Sequence, residues 1–140
     1  MADAMDRSVR FIGFVRSELR RREEAPKQGP EGGLAAWLEI AERFIDGVEG
    51  ITCGDQIVLL TWLHQGNRNV LKVHPRGKEE NAATGVFSTR SPDRPNPIGL
   101  HRVTVLEIAA PNRIKVYPLE AIDGTPIIDI KPVLPRLGDA

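Results

Sequence analysis

Hydrophobic and polar positions change rhythm several times along this 140-residue chain, and each change marks an element. Residues 9–15 (Val9-Arg-Phe-Ile-Gly-Phe-Val15) are rich in β-branched and aromatic side chains between polar flanks, which predicts an opening strand. The charge run from Glu18 to Glu24, with Pro26, Gly29, Pro30, Gly32 and Gly33 after it, predicts a long loop over 17–33. Leu34, Trp37, Leu38, Ala41, Phe44, Ile45 and Val48 recur at helical spacing and predict a helix over 34–48, with 37–40 as an alternative short strand leading into it. After Gly54 the rhythm is that of strands. Residues 56–63 form a nearly continuous apolar run, the pattern of a strand covered on both faces. Further strands are predicted over 70–73, 85–88, 100–108, 113–117 and 125–130, each bounded by glycine, proline or asparagine. Many short strands with one helix predict a mainly β fold: a small closed or nearly closed antiparallel β-barrel with one short helix and long loops at one end.

One stretch, Gly85-Val-Phe-Ser-Thr-Arg-Ser-Pro-Asp-Arg-Pro-Asn-Pro-Ile-Gly-Leu100, departs from this pattern. Pro92, Pro95 and Pro97 fix φ and remove backbone donors, so 91–97 cannot enter a helix interior or a central strand. The residues before them, Ser91, Arg94 and Asn96, are pushed toward extended conformations. A stiff loop displaying arginines, an amide and hydroxyls fits a binding site; a surface connection with solvated charges is the alternative. His64-Gln65, this loop and residues 120–126 all fall at strand ends, where small barrels gather their sites. Asp123-Gly124 reads as a tight hairpin turn.

Charge and composition remove other classes. Nineteen basic residues balance nineteen acidic ones, so no global field draws the chain to nucleic acid, and an anionic partner has to be met locally. Cys53, the only cysteine, can form neither an internal disulfide nor a Cys-x-x-Cys site, and reads as a buried or half-buried inert thiol. His64, His74 and His101 lack helical zinc spacing, and no metal is expected. The Gly-x-Gly-x-x-Gly and Gly-x-x-x-x-Gly-Lys-Ser/Thr phosphate loops are missing. No apolar run approaches the ~20 residues of a membrane span and no signal-peptide core is visible, so cytoplasmic residence is expected.

Residues 85–99, taken with Asp123-Gly-Thr-Pro-Ile-Ile-Asp-Ile-Lys-Pro132, resemble the TsaA/TrmO (YaeB-like) family of S-adenosylmethionine-dependent tRNA methyltransferases. The resemblance extends to Ile12-Gly-Phe-Val15, to Pro26-Lys-Gln28 and to the strand ending in His64-Gln65. It implies a small β-barrel with a non-Rossmann site for S-adenosyl-L-methionine, a tRNA partner and a homodimer. It implies methylation of N6 of threonylcarbamoyladenosine at position 37 of tRNA. It also implies a strand over 37–40 and a helix starting near Ala41.

Carried over by position, the resemblance assigns the cofactor to Pro26, Lys27, Gln28, His64, Gln65, Arg90, Leu100, Glu120, Ala121, Ile122 and Asp123. Arg90 is expected on its carboxylate, with Gln28 and His64 giving directional hydrogen bonds. Asp129 is the candidate base; Lys131, placed with it among the catalytic candidates, is expected with Arg94 and Asn96 to hold the threonyl carboxylate and the base of the acceptor. For these four a structural role, such as an ion pair tying the long loop to the last strand, is the alternative. Arg20, Arg21, Arg22, Lys27, Lys72, Arg76 and Lys78 are candidates for a local phosphate rim. The family's closing Asp-Ile-Lys-Pro-Tyr reads Asp129-Ile-Lys-Pro-Val133 here, ahead of Arg136, and its Val-Arg-Pro-Pro-Arg reads Val73-His-Pro-Arg76. A single domain over 1–140 without a C-terminal extension is expected. The same methyl chemistry on another small or RNA acceptor is one alternative, and a non-enzymatic barrel binding a nucleoside or RNA is another.

Overall fold

Alternation of apolar and polar side chains builds the sheet. β1 (Gly13–Arg16), β2 (Ala36–Ile40), β3 (Gln56–Trp62), β6 (Ile98–Ala109), β7 (Arg113–Tyr117) and β8 (Pro126–Pro132) send every second residue inward. Val15, Leu38, Leu59, Val103, Ile114, Val116 and Ile127 thus meet in one core. The strands pair antiparallel in the order β1-β2-β7-β6-β3-β8, and β8 pairs in turn with β1 through Gly13↔Ile127. β4 (Lys72–Val73) and β5 (Thr84–Gly85) form a separate two-stranded ribbon. These observations come from a computed structural model describing residues 7–19, 34–74 and 82–135.

Several expectations are corrected. The helix predicted over 34–48 is two elements, the strand β2 and a 3₁₀ helix over Glu42–Val48. Ala36, Leu38 and Ile40 face the core at period two, whereas Trp37 lies on the other face, with Arg113 4.4 Å from its ring centroid. The helical spacing came from adding a period-two strand to a short helical turn. The first strand starts at Gly13 rather than at residue 9. Of the strand predicted over 85–88 only Gly85 pairs; Val86–Ser88 is a 3₁₀ turn that buries Val86. Cys53, expected to be at least half-buried, is exposed in the turn before β3. Asp123 and Gly124 do form a turn, but it is no hairpin, because β8 pairs with β3 and β1 and not with β7.

Strand directions decide where the loops go. β1, β3 and β7 finish, and β2, β6 and β8 begin, at one end of the sheet. The described parts of the connections 17–35 and 63–97, and all of 118–125, therefore leave or enter the sheet there. At the other end the 41–55 connection folds back, and its Phe44, Val48 and Ile51 pack against the core. One end is sealed by apolar side chains while the other carries the polar loops.

Candidate functional site

The 89–97 loop is built by its own side chains. Thr89 Oγ1 accepts from Ser91 N at 3.1 Å, and Ser91 Oγ accepts from Asp93 N at 3.1 Å, local turns that suit a backbone stiffened by proline. The Arg94 guanidinium donates to the carbonyls of Val86 (2.9 Å), Thr89 (3.0 Å) and Ser91 (2.9 Å). A second loop is clasped to the first. Arg68 donates to Pro95 O at 2.6 Å and to Asn96 Oδ1 at 3.1 Å, with its guanidinium 5.0 Å from the Trp62 ring centroid. Asn67 N donates to Asp93 Oδ1 at 2.9 Å. Gly66 has no Cβ because the Pro92 carbonyl and the Pro97 ring fill that space.

Between this loop and the starts of β6 lies a cavity of about 470 Å³, lined by Leu63, Phe87, Thr89, Arg90, Arg94, Asn96, Ile98, Gly99, Leu100 and His101. Its size falls in the range of small-molecule sites, and it combines apolar walls with arginine and amide donors. Of the lining residues, His101 shares through Nε2 a hydrogen bond of 2.8 Å with Thr61 Oγ1, and a Cβ at Gly99 would stand 2.6 Å from that hydroxyl.

Desolvation lowers the His101 pKa from 6.5 to about 4. The unfolded chain takes up this proton near pH 6.5 and the folded chain only near 4, so stability falls as pH drops through that interval. The full penalty, on the order of 3 kcal/mol, is reached below both values. Urea unfolding at pH 7.5 and pH 4.5 is expected to show His101→Gln losing less stability than the wild type on acidification. Equal losses would remove His101 from this role.

Glu120 brings a different signal. Its Oε1 is buried and has no hydrogen-bond partner among the described residues, and desolvation raises its carboxyl pKa. A ligand hydroxyl or amino group is the kind of donor that would satisfy it. The adjoining turn is held firmly: Asp123 Oδ1 accepts from Ser17 N at 2.9 Å, and Asp123 N donates to Leu19 O at 2.7 Å.

The structure thus brings Arg90, Leu100, Arg94 and Asn96 into one cavity. Exposed His64 and Gln65 follow β3, and Glu120, Ala121, Ile122 and Asp123 follow β7, at the same end of the sheet but outside that lining. Pro26, Lys27 and Gln28 lie outside the described residues, as do Arg20, Arg21, Arg22, Arg76, Lys78 and Arg136. Asp129 and Lys131 line a second, larger groove of about 960 Å³, where they form an ion pair of 3.1 Å. Cross-strand register relates the two. Leu60 pairs with both Leu100 and Asp129, so Leu100 of the first cavity and Asp129 of the groove lie on one row of β6, β3 and β8. Arg68, Trp62 and Thr61, which carry the cavity's architecture, were not singled out from sequence, and His101 was weighed only as a metal ligand. The only signal for them was position: Thr61, Trp62 and His101 fall near the ends of predicted strands and Arg68 in the segment after one.

The chain is similar to known proteins in sequence and in fold. The chain is 44% identical over 128 residues to the "Probable S-adenosyl-L-methionine-binding protein" of Methanothermobacter thermautotrophicus, covering 91% of this chain and 90% of that one. It is 41% identical over 126 residues to the "S-adenosyl-L-methionine-binding protein" of Archaeoglobus fulgidus, covering 90% and 88%. Its fold matches the crystal structure of TrmO from Pseudomonas aeruginosa with a TM-score of 0.76 and 29% identity, over 98% of this chain. It spans 61% of that chain. Residues 14–139 match the model of the tRNA-methyltransferase O N-terminal domain, and the chain belongs to that family.

Proposed function

We propose that this chain binds S-adenosyl-L-methionine at the loop end of the sheet and methylates N6 of threonylcarbamoyladenosine at position 37 of tRNA. The observation carrying the reading is the cavity that joins Arg90, Leu100 and the Arg94 loop within the tRNA-methyltransferase O fold. The names of the relatives support the cofactor. Arg90 and the orphaned Glu120 oxygen offer complementary partners for its carboxylate and its hydroxyl or amino donors. The resident Leu63, Ile98 and Leu100 supply the apolar wall. Pro26, Lys27, Gln28, His64, Gln65, Ala121, Ile122 and Asp123 complete the proposed cofactor set. A cytoplasmic homodimer is the form proposed, for which Leu106, Ile108 and Tyr117 offer exposed apolar surface on β6 and β7.

When bound, adenosylmethionine supplies a methyl group on a sulfonium, already a good leaving group. The protein's own tasks are to hold the acceptor in line and to accept a proton. The N6 lone pair of the acceptor is delocalised into the carbonyl, so its proton has to leave as the new bond forms, and Asp129 is the proposed base. Lys131, paired with Asp129, orients that carboxylate. Arg94 and Asn96, proposed on the acceptor, already hold the loop through Val86, Thr89, Ser91 and Arg68. Those bonds favour a supporting share in the site over a direct one.

Calorimetry with adenosylmethionine is expected to show binding that Arg90→Ala weakens roughly ten-fold or more, the scale of a lost charge-assisted hydrogen bond. Unchanged affinity in that variant would take Arg90 out of the site. Labelled cofactor with bulk tRNA is expected to place methyl groups on threonylcarbamoyladenosine. Incorporation that persists in tRNA lacking the threonylcarbamoyl group would replace the acceptor, and absence of cofactor binding at millimolar concentration would overturn the enzymatic reading.

A further inference from the structure

We infer that Arg102, flanked by Lys131, forms a subsite in the larger groove for a single carboxylate on an amino-acid-like arm of the acceptor. The inference rests on the methyl-transfer reading above and adds a residue to it. β3 residue Val58 pairs with Arg102 on one side and Lys131 on the other, so the two cations stand on the same outer row with Val58 between them. Both line the groove. Arg102 Nη2 donates to Gln56 Oε1 at 3.2 Å, an amide partner that orients the guanidinium without neutralising it. Among the described residues no ion pair to a carboxylate occupies its fork. Such a fork is shaped for bidentate carboxylate or phosphate recognition.

Two further features choose the carboxylate over an RNA phosphate. The groove's other wall, from the 41–55 connection, carries Asp46, Glu49 and Asp55 against one cation, Arg43, an acidic balance that disfavours a polyanionic backbone more than a single carboxylate and offers acceptors to hydroxyl or N–H donors. A compact arm bearing one carboxylate and several donors matches both walls. The row spacing agrees. Asp129 pairs with Leu60, two residues along β3 from Val58, a step of roughly 6.6–6.8 Å. In a threonylcarbamoyl group the carboxyl carbon is four bonds from N6, a span of roughly 5 Å. With Asp129 at the N6 proton, the carboxylate falls beside Lys131 on that row, and the Arg102 side chain, whose backbone stands two strand spacings, together roughly 9.4–9.8 Å, across from Lys131, reaches over Val58 to meet it.

The test compares wild type, Arg102→Gln and Arg102→Lys on tRNA carrying threonylcarbamoyladenosine and on the same tRNA with the threonyl carboxylate capped as its methyl ester. Arg102→Gln is expected to raise KM for the uncapped tRNA roughly ten-fold, as expected for one charged hydrogen-bonded contact. Arg102→Lys should recover part of that loss. Calorimetry should show unchanged adenosylmethionine affinity in both variants, and wild type should lose its advantage on the capped tRNA. A penalty that persists on capped tRNA would reassign Arg102 to a phosphate, and wild-type KM in Arg102→Gln would remove the subsite; either result overturns the inference. A wild-type protein that methylates neither tRNA would instead overturn the functional reading on which it rests.

Discussion

Replacing Asp129 with asparagine is expected to leave adenosylmethionine affinity unchanged while lowering turnover of tRNA by roughly 10²–10⁴-fold, the usual share of a positioned general base. Magnitudes separate this from a folding defect. The Asp129–Lys131 pair has side chains 44% and 61% exposed, and a pair so open to solvent is worth about 0–1 kcal/mol. The carboxylate also accepts from Ile130 N at 2.9 Å, a bond the asparagine oxygen can keep. A large loss of rate with an unchanged unfolding midpoint would therefore belong to the chemistry. Single-turnover rates make the comparison without interference from product release. A variant running at full speed would dispose of Asp129 as the base.

Arg94→Ala is expected to lower stability by about 2–4 kcal/mol and to weaken adenosylmethionine binding by an order of magnitude or more. Each hydrogen bond from a charged donor is worth about 1.5–3 kcal/mol, and three from one half-buried guanidinium fall short of simple addition. The carbonyls of Val86, Thr89 and Ser91 lose their donor together, so the loop that presents Arg90 loses its internal brace. Arg94→Lys should recover little, because a point charge cannot span three carbonyls as a planar fork does. Urea unfolding and calorimetry read the two effects separately. A wild-type unfolding midpoint in Arg94→Ala would show that the brace is dispensable.

Much of the fold could be read from local pattern, and its errors have physical causes. Continuous apolar residues in β3 and alternation in β7 identify strands because burial on each face selects side chains directly. The segment 34–48 misled because Trp37 belongs to an outer face under Arg113 while Phe44 and Val48 belong to a different element. Cys53 misled because its ordinary preference for burial is weaker than the demand of a tight turn before β3. At the site, the prolines announced a stiff loop, and the cavity does collect Arg90, Arg94, Asn96 and Leu100. The direction of Arg94 was not legible, since bonds to carbonyls three, five and eight residues earlier depend on how the chain turns. The clasp from Arg68 and the Thr61–His101 contact join segments 27 to 40 residues apart, a pairing that only the register of β3 on β6 brings about.

The absence of a side chain at Gly66 has a further consequence. Because the turn after β3 seats directly on Pro92 and Pro97 and is pinned there by Arg68, the two ends of the 63–97 connection are ordered as one body before any ligand arrives. The conformational entropy of fixing them is met when the chain folds, so contacts made on binding appear more fully as affinity. Arg90 and Arg94 are thereby presented from a framework that folding itself has set.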